Sequence, residues 1–124
     1  MAFSSTGPTK VGVSNGTGDV VTLTVAGGTG NSSAYHVDLR QNTNIAFGCD
    51  VSAGATLTYS VEHTFDSDPD DASAVWFAHE SFSTPASADA DGNYAFPPTG
   101  IRLTMNTWTA GSVTMRLIAS GKLN

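Results

Sequence analysis

The stretch from Ile101 to Gly121 constrains the fold more than any other part of the chain. Ile101, Leu103 and Met105 alternate with Arg102, Thr104 and Asn106. Val113, Met115 and Leu117 alternate with Thr114, Arg116 and the apolar Ile118. A period of two turns one set toward a core and the other toward solvent or a partner. Ala110-Gly111-Ser112 supplies a turn between the two runs. The segment therefore predicts a β-hairpin within an all-β chain.

The same pattern recurs upstream. Thr9 to Val13 is a short alternating run, and Asn15 to Gly18 turns the chain. Val20 to Ala26 places Val21, Leu23 and Val25 inward. Ala34 to Leu39 places Tyr35, Val37 and Leu39 inward, and Asn44 to Cys49 adds a further strand. Ala55 to Phe65 is the longest run, with Leu57, Tyr59, Val61, His63 and Phe65 on one face. Ala74 to Ser81 suits a strand or a short helix, Asp91-Gly92 signals a tight turn, and Tyr94 to Phe96 is extended. Short strands separated by turns, with no long helical segment, predict two packed antiparallel sheets. A jelly-roll-like β-sandwich is the first expectation and an immunoglobulin-like one the second. A length of 124 residues without a linker suits one domain, 1–124. Residues 1–9 read as an arm, flexible or held by a partner, because Ser4 to Pro8 lack periodicity and Pro8 resists a helix.

Charge narrows the function classes. Only 13% of the residues are charged, and the net charge is -6. No Lys or Arg lies between Arg40 and Arg102, an interval holding Asp50, Glu62, Asp66, Asp68, Asp70, Asp71, Glu80, Asp89 and Asp91. Such a surface repels a phosphate backbone, so no direct nucleic-acid partner is expected. A solvated acidic face is the plainer reading, and a face that docks on a basic partner the sharper one. No segment has the apolar length of a membrane helix, so no membrane is expected as a partner. The N-terminus lacks the features of a signal peptide, which suggests synthesis in the cytoplasm. Cys49 is alone, which excludes an internal disulfide and points to a small buried side chain.

Reactive constellations are weak. Asp66, Asp68 and Asp70 have the spacing of a calcium-loop opening, but Asp71 stands where that loop needs Gly, and Phe77 where it needs Glu. They remain weak calcium candidates, and no metal site is assigned. His36, His63 and His79 are too dispersed for a metal triad. No nucleophile elbow, phosphate loop or distinguished carboxylate pair exists, so no enzyme, catalytic residue or cofactor is expected. The aromatic residues are more informative. Trp76, Phe77, Phe82 and Trp108 belong either to the core or to a partner contact, and Phe3 and Pro8 would carry any contact made by the arm.

The segments Ile101-Arg-Leu, Asn106-Thr-Trp, Ala110-Gly-Ser-Val-Thr and Leu117-Ile resemble the C-terminal hairpin of small virion structural proteins of tailed bacteriophages. The acidic loop followed by Val75-Trp-Phe is similar to what often precedes it. The likeness covers roughly the last half of the chain. It implies a head cement or decoration protein on the outer capsid surface, bridging major capsid protein subunits, a homo-oligomer on the lattice, and assembly in the bacterial cytoplasm. A tail or baseplate component is a second implied role. Outside that family, a carbohydrate-binding module using Trp76 or Trp108 for host-surface glycans is a further alternative.

Overall fold

The computed structural model describes residues 3–14, 18–40 and 42–121. The chain is an antiparallel β-sandwich of two sheets. Its strands are β1 (Ser4–Gly12), β2 (Asp19–Ala26), β3 (Gly30–Asn31), β4 (Tyr35–His36), β5 (Asn42–Val51), β6 (Thr56–Thr64), β7 (Trp76–Ala78), β8 (Ala90–Tyr94), β9 (Gly100–Ala110) and β10 (Ser112–Gly121). One sheet has the order β1-β2-β10-β5-β8. The other has the order β3-β9-β6-β7, with β4 also paired to β9. A single 3-10 turn, Glu80–Phe82, follows β7.

The pairings are nested. β6 pairs with β7, β5 with β8, β3 and β4 with β9, and β2 with β10. Rolling one long hairpin, with its tip between β6 and β7, into two layers gives this order. Alternation then builds the core. Leu23, Val25, Ile45, Met115 and Leu117 from one sheet meet Tyr59, Val61, Ile101, Leu103 and Met105 from the other, all essentially without solvent exposure.

β9 and β10 are strands, as their alternation predicts, but they are not a hairpin. β9 pairs with β6, whereas β10 pairs with β2 and β5 in the opposite sheet. Gly111 alone separates them, with φ of 98°, and turns the chain across the sandwich edge. Trp108 is accordingly in a strand and not in a loop. Between Thr58↔Thr107 and Tyr59↔Met105 the register skips Asn106, a bulge that reverses the parity of β9. Trp108, and not Thr107, then turns toward the core. Bulges re-aim side chains in this way.

Three other expectations are corrected. The arm is an edge strand from Ser4 onward, because β1 pairs with β2. Leu39 is 53% exposed. The Asp38 carboxylate accepts the Arg40 N–H at 3.0 Å, and this local turn ends the alternation after Val37. Asp91-Gly92 is not a turn, since both residues lie inside β8 opposite Gly48 and Phe47. A Cβ on Gly92 would come within 2.9 Å of the Phe47 ring and 3.2 Å of His79. Close packing, and not a change of direction, requires glycine there. The Asn15 to Gly18 turn falls largely outside the described residues.

Candidate functional site: an open aromatic corner

The core opens at one corner. β7 and β8 are edge strands of opposite sheets. Phe77 stands opposite His63 in the β6–β7 ladder, so both side chains lie on the inner face. Phe65 and Phe96 follow the ends of β6 and β8. Their rings meet, with centroids 5.9 Å apart for Phe65–Phe77 and 5.7 Å for Phe65–Phe96. All remain wet: Phe65 is 55%, Phe77 49% and Phe96 44% exposed. Contiguous exposed aromatics are uncommon on soluble monomers and mark contact surfaces.

His63 is the floor of this corner. It is buried, and its ring lies 5.3 Å from Phe65, 6.0 Å from Phe77 and 5.3 Å from Phe96. Its Nδ1 is 3.0 Å from the Tyr94 hydroxyl. Burial pushes the Tyr94 phenol pKa upward, which keeps the phenol neutral beside the imidazole. His79 also packs edge-on against Tyr94, with ring centroids 4.8 Å apart. Its Nε2–H donates to the Asn93 carbonyl at 2.7 Å, while its Nδ1 accepts the Ser81 N–H at 3.1 Å. Beside these rings a cavity of about 310 Å³ opens between the β7 and β8 edges, lined by His63, Ala78, His79, Glu80, Asn93, Ala95 and Phe96.

Burial holds the His63 pKa below its ordinary 6.5. Neighbouring His79 adds to that shift, and Glu62 opposes it. Above that value the imidazole is neutral in folded and unfolded chains alike. Below it the unfolded chain takes up the proton first, so stability falls as pH drops through the folded pKa. The urea midpoint should therefore decline as the pH falls below the ordinary histidine value of 6.5. His63→Gln should flatten that part of the profile. An unchanged slope in His63→Gln would assign the pH dependence to other groups.

The anticipated contact residues divide sharply. Phe77 belongs to the open corner. Phe82 does not: it is only 2% exposed and packs on Tyr59 at 5.5 Å and Phe47 at 6.2 Å. Phe3 packs on the rim of the core. Pro8 is exposed on β1, which lies at the opposite edge of its sheet from β8. The Trp108 indole N–H donates to the Gly111 carbonyl at 2.8 Å, which fastens the β9–β10 crossing. Trp76 carries the Arg102 guanidinium 4.1 Å above its ring. Arg102 also pairs with Glu62 at 2.8 Å. That cluster borders a polar cavity of about 450 Å³ that includes Asn31, Ser33, Asp70 and Asp71. Phe65 and Phe96 were missed as contact residues. Phe65 continues the inward parity of β6 one residue past the end of that strand and stays 55% exposed.

The aspartates of the 66–71 loop do not converge on a cation. Asp66 accepts the Val75 N–H at 2.7 Å, and Asp68 accepts the Asp70 N–H at 3.0 Å. Asp70 faces His36 at 3.1 Å. These carboxylates fold their own loop, as Asp does in turns. Among the described residues, no group of three or more His, Cys, Asp and Glu side chains is arranged to hold a metal ion. Cys49 is buried, and desolvation pushes its thiol up to about 12, which leaves it protonated and unreactive near neutral pH. No helix is long and apolar enough to cross a membrane among the described residues. The chain matches no protein-family model and no curated protein sequence.

Proposed function

We propose that this chain is a non-enzymatic structural protein of a tailed-phage head, a cement or decoration protein that docks on the outer shell and bridges neighbouring major capsid subunits. The observation that carries this reading is the contiguous Phe65–Phe77–Phe96 surface, about half exposed at each ring. Such a surface suits permanent contact with another protein. The nested pairing of β2 with β10 through β6 with β7 is read as a jelly roll, an architecture used by viral capsid proteins and lectins. That fold-level analogy is compatible with the role without specifying it. The resemblance of the Ile101 to Ile118 segment to small virion proteins supplies the phage head.

Many copies engaging one shell add stability even where each contact is modest, because bound neighbours raise effective concentration. Oligomerisation on a symmetric lattice fits the same reading. The chain should co-sediment with purified heads, and heads stripped of it should rupture at lower temperature or milder osmotic shock. Heads that carry no copy of the chain would overturn the reading. Recovery only in tail fractions would favour the tail or baseplate role.

A further inference from the structure

The aromatic corner has a charge as well as a shape. Glu80 lines the cavity between β7 and β8 and is exposed. None of the ion pairs among the described residues engages it. The described cations are placed elsewhere. Arg102 is bound to Glu62, Arg40 to Asp38, and Arg116 faces Asp50. Lys10 lies on β1, at the far edge of its sheet.

Resting on the docking reading above, we infer that this corner receives a segment of a partner protein that carries an arginine beside apolar side chains. The arginine enters the cavity, its stem lying along Phe96 and its guanidinium meeting Glu80. Aliphatic or aromatic neighbours cover Phe65 and Phe77. An arginine suits the site because its stem is apolar, its head pairs with a carboxylate, and its cation is attracted to ring faces. A second copy of this chain suits it poorly. A two-fold contact here would set Glu80 of one copy close to Glu80 of the other, and like charges across an interface oppose association.

The test uses the full chain with short extended peptides of alternating leucine and arginine, and with leucine–glutamine counterparts. The leucine–arginine peptide should bind and weaken as salt rises. Glu80→Gln and Phe77→Ser should each reduce its binding about tenfold. Both residues are exposed, and unchanged melting of the variants will show that the fold is intact. Equal binding of the leucine–glutamine peptide, or no loss in Glu80→Gln, overturns the inference. So does dimerisation of the wild-type chain that Phe77→Ser abolishes, because a second copy would then occupy the corner. Heads lacking the chain separate this inference from the reading it rests on. If wild type and both variants bind heads equally, the corner is not the contact, although head docking stands. If wild type ignores heads while the peptide results hold, head docking falls and the corner remains a basic-segment site.

Discussion

Phe82→Ala should cost about 4 kcal/mol of stability, in the range for truncating a buried phenylalanine. The fall in melting temperature should be roughly 10 °C or more for a domain of this size. The side chain is 2% exposed and touches the rings of Phe47, Tyr59 and His79 with centroids 5.5 to 6.3 Å away. It sits on the helical turn after β7 and packs between Phe47 of one sheet and Tyr59 of the other. Alanine would leave a cavity walled by rigid aromatics that cannot collapse into it. Phe77→Ala offers the contrast. Phe77 is 49% exposed, so its loss should cost less than about 1 kcal/mol. Urea unfolding of the two variants measures both. Similar small losses would place Phe82 on the surface with Phe77 and refute the packing described here.

Gly111→Ala should cost about 3 kcal/mol. Two terms add. The first is backbone strain, because φ at Gly111 is 98°, a conformation that L side chains rarely adopt. The second is steric. A Cβ there would collide with the Ala55 Cβ, and would lie 2.8 Å from the Ala55 Cα and 2.9 Å from the Ser52 hydroxyl. The crossing has no slack to absorb the shift. The Ser112 N–H bonds the Ser52 hydroxyl, the Ser52 N–H bonds the Ser112 carbonyl, and the Trp108 indole holds the Gly111 carbonyl. Overpacking of a tight site commonly costs 1–3 kcal/mol by itself. A loss below about 1 kcal/mol in equilibrium unfolding would mean that the crossing is more pliable than these contacts imply.

Most of the strands were legible because alternation is local. Val21-Leu23-Val25, Leu57-Tyr59-Val61 and Ile101-Leu103-Met105 each show their buried face without reference to anything distant. The acidic interval between Arg40 and Arg102 was equally plain. Errors arose where a local signal has two physical meanings. Glycine in Ala110-Gly111-Ser112 and in Asp91-Gly92 suggested turns within one sheet. In the fold, one glycine carries the chain between sheets and the other makes room for Phe47. Alternation also placed Phe65 inward, and its parity is right. Parity states a direction and does not say whether a facing layer exists.

The candidate site was only partly legible for the same reason. Phe77 was a contact candidate only as one of four aromatic residues, Trp76, Phe77, Phe82 and Trp108, each open to a core or a contact role. Nothing local joins Phe65, Phe77 and Phe96 or puts His63 beneath them. Sequence by itself determined an all-β sandwich, the inward face of most strands, and an acidic surface without paired cysteines. The tertiary structure alone decided that β9 and β10 belong to opposite sheets, that Phe82 is core, and that three phenylalanines share one open corner. Periodicity is a property of a few consecutive residues. Pairing between strands and the place where the layers cease to cover each other depend on how the whole chain closes.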